Sequence, residues 1–305
     1  MGHRKTKGEK VMKKRIKEKF TITYVFILII LIVYAVSMLY MILWGAMTSF
    51  KLQDEFRKNI LGFPTNFTFE NYALVWKWFF VETSTPAGLP ITIYIEEMLI
   101  NSIIYVGESC LAATVVPCLV AYLCANFNFK LSKIIVAIVI IQMALPIVGA
   151  APSELQIIHN LGLYDNYLVA LVLKASFLGM YFLVFYSTFQ GIPKDYREAA
   201  SIDGASEMRI MLNVYFPLIR NTFFTVMLLQ GVAFWNDYQT PLLYMPTKVT
   251  VSYGLYSLGG PKSPEMSYTP PKMAGNMLLT LPISLIFIAF RNKMMGNLSV
   301  GGIKG

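Results

Sequence analysis

The most distinctive polar residues lie between Pro193 and Pro217. The stretch predicts a short helix, a sharp turn at an Asp-Gly pair, and a second helix from about Ser206. Glycine permits a bend that strains other residues. The side chains singled out are two carboxylates, two alanines, the glycine and the second proline: Glu198, Ala199, Ala200, Asp203, Gly204 and Pro217. A short helix with a small apolar face and one acidic point is suited to insertion into a partner's groove.

No comparable group of residues predicts covalent chemistry. The sequence contains no GxxxxGK[ST] phosphate loop and no Ser/His/Asp or Cys/His arrangement in a suitable context. Cys110, Cys118 and Cys124 share one apolar stretch, and His3 and His159 are far apart. We therefore expect buried thiols, with neither a metal site nor a disulfide framework.

The elements that must position the loop are predicted to be membrane helices. The chain is 56% hydrophobic and 14% charged, whereas soluble domains are about 45–50% apolar and about 25% charged. Inside a bilayer the backbone must bond within its own segment, so helices are expected. Six apolar stretches predict an all-α integral membrane fold with six spans: residues 22–46, 98–125, 133–152, 167–190, 219–243 and 273–290.

The basic residues predict the orientation of these spans. Nine of the 26 lysines and arginines precede residue 20, so residues 1–19 are interpreted as a basic cytoplasmic tail rather than a nucleic-acid site. Six spans then place both termini in the cytoplasm, together with the loop 192–218. The proline-containing connections 47–95 and 246–272 are expected to be irregular and to face outward. Residues 20–305 are predicted to form one transmembrane domain.

The loop resembles a motif of a known family. Glu198-Ala199-Ala200, Gly204 and Pro217 fall at the spacings of the EAA motif of binding-protein-dependent ABC importer permeases, with Val214 and Phe216 replacing the commonest Ile and Leu. The similarity covers roughly residues 20–305. Further features resemble the carbohydrate, maltose-type branch: Asn101-Ser102, Leu161-Gly162-Leu163, Asp203-Gly204-Ala205, Trp235-Asn236-Asp237 and the tail from Val300 to Gly305.

This resemblance implies the type I ABC importer permease (MetI-like) fold, with the loop 192–218 as a coupling helix. Glu198 would pair with a basic residue in a cleft of the cytoplasmic ATPase, and Gly204 would let the two short helices turn there. The glycine-containing tail would reach between the ATPase subunits, although a frayed terminus is the alternative. The residues of this tail are Gly301, Gly302, Ile303, Lys304 and Gly305.

The resemblance also implies the partners. They are a second permease subunit, two ATPase subunits, an extracellular solute-binding protein, a sugar substrate and membrane lipid, without nucleic acid. ATP and Mg would be bound by the ATPase subunits, and this chain would bind no cofactor and have no ATPase site. The protein would lie in a bacterial cell membrane and would pass a sugar of the oligosaccharide class through a pathway shared by the two permeases.

Three ionisable residues lie within the predicted spans: Glu108, Lys174 and Asp237. Such groups are candidates for function. Trp235, Asn236, Asp237 and Tyr238 combine aromatic rings with hydrogen-bonding groups, and with Glu108 they are the predicted sugar pathway. The alternative is that Asp237 lies near the outer end of its helix and caps or pairs locally. Lys174 is expected to extend to water at the outer interface, and Glu108 to pair within the bundle.

Other readings remain open at this stage. Tyr253, Tyr256 and Tyr268 in the second outer loop are candidates for contact with the binding protein. A non-sugar cargo, such as a polyamine or phosphate, would use the same machine. An ion-coupled secondary transporter would be expected to contain paired intramembrane carboxylates or broken helices in repeated halves of the chain. A membrane enzyme would need a catalytic constellation.

Overall fold

The computed structural model describes residues 22–127, 129–145, 149–257 and 265–295. The chain begins with the long helix α1, Ile22–Ser49, and continues with α2, Gln53–Lys58, and α3, Glu70–Trp78. Two strands, β1 at Phe80–Ser84 and β2 at Pro90–Tyr94, follow and lead directly into α4, Ile95–Asn126. The connection predicted to be irregular between 47 and 95 therefore contains regular elements. Its prolines permit this because Pro90 occupies the first position of a strand, where a missing N–H is tolerated.

The second part of the chain is built from shorter helices. In order they are α5 Lys130–Ala144, α6 Ala151–Asn160, α7 Leu168–Lys174, α8 Met180–Gln190, α9 Asp195–Ile202, α10 Glu207–Ile210, α11 Phe216–Trp235, α12 Gln239–Tyr244, α13 Val251–Ser257 and α14 Thr269–Met295. A π-helical turn, Met211–Tyr215, joins α10 to α11, and a 3-10 turn, Glu265–Ser267, precedes α14. The connection 246–272 thus contains α13 and is not wholly irregular.

Three helical runs within the described residues are long and apolar enough to cross a membrane: Tyr24–Ser49, Ile95–Asn126 and Glu207–Trp235. The predicted first and second spans fall within α1 and α4. The predicted third span extended to residue 152, but α5 ends at Ala144 because Leu145 is extended. The residue before a proline avoids the helical region, and Pro146 follows.

Two predicted spans are interrupted. The span 167–190 was expected to be one helix, but it consists of α7 and α8 separated by residues 175–179. Gly179 has φ +150°, a backbone conformation that favours glycine. The span 219–243 ends at Trp235, and α12 starts afresh at Gln239. Asp237 therefore lies in a break between helices and not inside one.

Helix α4 is the centre of the bundle. Its C-terminal half packs with α8, α10 and α11 around Phe185, Phe189 and Tyr215, all fully buried or nearly so. Its other half packs with α7 and the end of α11 around Tyr105 and Val169. A third apolar cluster joins α3, the β-hairpin, α13 and α14. Helix α1 packs against α14 near Gly45, where an added Cβ would lie 3.3 Å from the Met277 side chain.

Candidate functional site

The loop that carries the EAA-like residues is a compact helix-turn-helix. After α9 the chain turns at Asp203 and Gly204, and Gly204 has φ +79°. The Ala205 N–H donates to the Ala200 carbonyl at 3.0 Å, and the Gly204 N–H donates to the Ser201 carbonyl at 3.1 Å. These bonds form a Schellman-type helix end, which needs a left-handed residue directly after the helix. A Cβ at Gly204 would meet no atom within 4 Å, so the glycine is required by the backbone conformation and not by space.

The second half of the loop does not end where the sequence predicted. Helix α10, the π-helical turn and α11 form one helical run through Pro217, which was expected to bracket the loop. Pro217 lies in the first turn of α11, and its missing N–H cannot bond one turn back. The chain is widened by the π-helical turn immediately before it. The loop is thereby joined to a membrane-crossing helix without a flexible joint.

An ion pair holds the two arms of the loop together. The Arg197 Nη2 lies 2.6 Å from Glu207 Oε1, and the Arg197 guanidinium lies 4.4 Å from the centre of the Phe127 ring. The hydrogen bond to Glu207 raises the pKa of Arg197. Phe127 follows the end of α4, so Arg197 joins α9 to both α10 and α4. The sequence pattern does not predict this pair, because a separation of ten residues across a turn has no fixed periodicity.

The opposite side of α9 is open. Glu198, Ala199 and Ile202 are exposed, and Ile202 exposes 86% of its surface. Within the described part of the chain the Glu198 carboxylate has no hydrogen-bond or ion-pair partner. Ala200, by contrast, is half-buried against the bundle core. The two alanines therefore face different ways, and α9 presents an apolar and acidic ridge away from the bundle.

A second polar cluster lies deeper in the bundle, around Asp237. The carboxylate Oδ2 accepts hydrogen bonds from Tyr105 Oη at 2.7 Å, Thr240 Oγ1 at 2.7 Å and Lys174 Nζ at 3.2 Å. The Thr240 N–H also donates to Oδ1 at 3.1 Å. Lys174 donates to Thr240 Oγ1 as well and lies 5.2 Å from the Phe234 ring centre. The cluster joins α4, the end of α7, and the break between α11 and α12.

This cluster changes two expectations. Lys174 was expected to extend to water, but its side chain is 23% exposed and pairs with Asp237. The prediction was wrong because a partner 63 positions away is invisible to local sequence patterns. Asp237 accepts local hydrogen bonds from Thr240, as the capping alternative expected. It also forms longer-range bonds with Tyr105 and Lys174.

The neighbours of Asp237 point to separate partners. Trp235 Nε1 donates to the Leu279 carbonyl of α14 at 3.0 Å, and Tyr238 stacks on Tyr256 with ring centres 4.3 Å apart. The exposed Asn236 donates to the Val232 carbonyl of its own helix. The side chains of these consecutive residues thus bond or stack with different parts of the chain, and their part in a pathway stays a prediction.

Glu108 is half-buried on α4, one turn after Tyr105. Its Oε1 is buried and finds no hydrogen-bond partner among the described residues, so the expected pairing within the bundle is absent from this part of the chain. A carboxylate with an unsatisfied oxygen on a membrane helix is costly unless water or another molecule reaches it. Glu108 thus remains a pathway candidate. No cluster of three or more potential metal ligands occurs among the residues that were placed.

Residues 113–293, more than half of the chain, match the family described as binding-protein-dependent transport system inner membrane component. This chain belongs to that family. It is a permease, a membrane component of a transport system and not an enzyme. The resemblance stated from the EAA-like loop is confirmed at the level of the family. The matched residues include the C-terminal part of α4 from Ala113, the loop and α11, whereas α1 to α3 and the hairpin precede them.

Several permeases of known systems are similar to this one. The diacetylchitobiose uptake system permease protein of Streptomyces coelicolor is 25% identical over 277 residues, covering 89% of this chain and 86% of the relative. The melibiose/raffinose/stachyose import permease protein of Bacillus subtilis is 24% identical, covering 85% and 88%. The arabinooligosaccharides transport system permease protein of Bacillus subtilis is 30% identical over 190 residues, covering 61% and 66%.

A solved structure shows the same fold. One chain of a bacterial ABC transporter involved in the import of the acidic polysaccharide alginate matches with a TM-score of 0.71 at 17% identity, covering 95% of this permease and 99% of that chain. The predicted all-α permease fold of the type I importers is therefore confirmed.

The two terminal segments singled out in the sequence cannot be compared with the structure. The tail residues 301–305 and the basic tail 1–19 lie outside the described residues.

The three tyrosines that were candidates for contact with a binding protein differ in exposure. Tyr253 is 7% exposed within α13 and is therefore unsuited to that role. Tyr256 and Tyr268 are exposed, although Tyr256 also stacks on Tyr238.

Proposed function

We propose that this permease forms, with a second and related permease, the membrane pathway of an ATP-driven importer for an oligosaccharide. An extracellular binding protein would deliver the sugar, and ATP with Mg would be bound by two cytoplasmic ATPase subunits. The relatives support the cargo class, because three of them are described as permeases for diacetylchitobiose, for melibiose, raffinose and stachyose, and for arabinooligosaccharides. A polysaccharide importer shares the fold.

The observation that carries the coupling role is the exposed ridge of α9. It combines the unpaired carboxylate of Glu198 with the exposed side chains of Tyr196 and Ile202, and Met208 of α10 is exposed as well. A partner that covered this ridge would bury apolar surface and could offer a cation to Glu198. A hydrogen bond to a charged group contributes about 1.5–3 kcal/mol. The Arg197–Glu207 pair and the continuous helix into α11 would transmit a push on α9 to the bundle.

The pathway and orientation follow from this assignment. The loop 192–218 and both termini would be cytoplasmic, and the segments 47–95 and 246–272 would face outward. The glycine-containing tail from Gly301 to Gly305 would extend between the ATPase subunits. Glu108 and the exposed Asn236 are the candidates for sugar contact, whereas Asp237 would hold the helices that flank the pathway.

The test measures assembly and ATP hydrolysis together. The complex purified through this permease, in lipid nanodiscs, would be compared with Glu198→Arg, with and without binding protein and a panel of oligosaccharides. Loss of co-purifying ATPase, or loss of sugar-stimulated hydrolysis by about tenfold or more, is expected for the charge reversal. The matched control is Asp54→Arg, which reverses an exposed carboxylate in α2 and should leave both readouts unchanged.

Two results would contradict the proposal. If Glu198→Arg kept full assembly and full stimulated hydrolysis, the ridge of α9 would not be the ATPase contact. If no oligosaccharide stimulated hydrolysis but a polyamine or phosphate did, the coupling assignment would stand and the cargo class would be wrong.

A further inference from the structure

The surface of α1 shows where the bilayer ends. Large apolar side chains from Tyr24 to Leu43 are exposed on all sides of the helix, each by 41% or more. At a rise of about 1.5 Å per residue, this stretch alone is long enough to cross a hydrocarbon core of about 30 Å. Exposure falls at Trp44, and Thr48 and Ser49 are fully buried in the protein. One membrane surface therefore lies close to Leu43.

The segment that follows α2 folds back against α1, close to Leu43. Tyr40 Oη donates to the Leu61 carbonyl at 3.2 Å, and Trp44 Nε1 donates to the Ile60 carbonyl at 2.9 Å. Tyr40 lies within the exposed apolar stretch, one turn before its end. Ile60 and Leu61 are thereby held beside the last turn of the lipid-facing part of α1 and not above it.

The fold-back is held by bonds within the segment. Lys51, fully buried, donates from Nζ to the Asn59 carbonyl at 2.7 Å, at the end of α2. Asn59 in turn accepts from the Gly62 N–H at 2.8 Å and donates to the Phe63 carbonyl at 2.9 Å. The Glu55 carboxylate accepts from the N–H and the hydroxyl of Thr65. These contacts leave the apolar side chains of the turn pointing outward.

Those side chains are strongly exposed. Ile60 exposes 51% of its surface, Leu61 64% and Phe63 78%. Arg57 and Lys58, one turn earlier, are exposed as well. Exposed apolar residues at the depth of the bilayer edge, with exposed cations one turn away, are typical of segments that lie in a membrane interface.

The geometry points to a lipid anchor formed by residues 57–63. Leu61 and Phe63 insert among the acyl chains next to the C-terminal end of α1, with Ile60 beside them, and Arg57 and Lys58 contact headgroup phosphates. The occupant is bilayer lipid because the patch continues the lipid-facing surface of α1 at the same depth. The anchor fixes the position of the connection 47–95 relative to the membrane. It depends neither on the cargo nor on the coupling role of α9.

Site-directed spin labelling of the complex in nanodiscs tests this anchor. Single labels at Leu61→Cys and Phe63→Cys would be compared with Leu39→Cys, on the exposed apolar part of α1, and Ala87→Cys, in the exposed turn of the hairpin. The native cysteines are buried, and the wild-type protein treated with the label supplies the background. The measured quantity is the ratio of collisions with oxygen, which concentrates in lipid, to collisions with a water-soluble nickel chelate.

A ratio at Leu61 and Phe63 several-fold above that at Ala87, and close to that at Leu39, is expected. A ratio equal to that at Ala87 would place the segment in water and overturn the proposal. Low collision rates with both reagents would show that protein, such as the second permease, covers the patch, and would also overturn it. Unchanged assembly and ATP hydrolysis of the labelled variants show that the complex is intact, so this result is separate from the test of Glu198.

Discussion

Two ion pairs among the described residues of the permease lie in contrasting surroundings. Arg197 and Glu207 meet at the surface of the α9–α10 loop, with 28% and 47% of their side chains exposed. Lys174 and Asp237 meet inside the bundle, at 23% and 18%, and Asp237 also accepts bonds from Tyr105 and Thr240. The first pair forms between two arms of one loop. The second joins three separate helical regions, so the loss of either partner leaves a charge with little access to water.

The difference in exposure to water determines how much each ion pair can contribute to stability. An exposed pair contributes about 0–1 kcal/mol, since water solvates both groups when they part. A pair that is largely shielded from water costs more to break, because the remaining charge is only partly solvated. The surface pair is therefore suited to a loop that must adjust to a partner. The inner pair is suited to holding the breaks after α7 and α11 in place.

The largest effect is expected for Asp237→Asn. The Lys174 ammonium would keep its charge and lose its only carboxylate among the described residues, at a cost of about 1.5–3 kcal/mol in the free energy of unfolding. Denaturant unfolding of the purified protein measures this. The double variant Lys174→Met/Asp237→Asn should recover most of the loss. If the single variant were as stable as wild type, the inner pair would be no different from the surface pair.

A smaller effect is expected for Gly204→Ala. The left-handed conformation at φ +79° is required by the helix end of α9 and costs an alanine about 1–2 kcal/mol. No steric clash adds to this. Sugar-stimulated ATP hydrolysis should fall more than global stability, because the strain falls on the proposed coupling loop. The control Gly107→Ala changes a helical glycine with equally open surroundings and should leave coupling unchanged. Equal losses in both variants would contradict this account of the loop.

Arg197→Gln is expected to change global stability by about 1 kcal/mol or less, as for other exposed pairs. It should loosen α9 because the contacts with Glu207 and Phe127 are both lost. Hydrogen exchange of the α9 amides should accelerate, while that of α7 should not change. A destabilisation as large as that of Asp237→Asn would remove the contrast between the two pairs.

The smallest expected effect on stability concerns a third carboxylate, that of Glu55, which accepts a hydrogen bond from a backbone N–H. The Thr65 N–H lowers the pKa of Glu55 from its ordinary value of 4.5. The resulting stabilisation is present above that ordinary value and is lost as the pH falls through the lowered one. Exchange of the Thr65 amide, corrected for its intrinsic pH dependence, should accelerate only over that acidic range. Glu55→Gln should abolish this response, and a response that persisted in it would assign the effect to another group.

Local sequence patterns predicted much of the functional loop. Glu198, Ala199 and Ala200 lie on a short helix, and Gly204 lies at its turn, because both features depend on neighbouring residues only. The same patterns missed the continuous run through Pro217, since the π-helical turn that widens the chain there leaves no signature in composition. They also missed the break between α7 and α8, because the stretch remains apolar on both sides of residues 175–179.

By itself the sequence determined that the chain is a membrane protein, where its first helix lies, and which loop carries the family motif. These depend on the number of apolar residues and on short spacings along the chain. Only the tertiary structure decided that Lys174 meets Asp237, that Lys51 is buried against the end of α2, and that Ile60 and Leu61 return to the level of Tyr40. Each of these contacts joins residues whose separation along the chain follows no helical or strand period, so only packing brings them together.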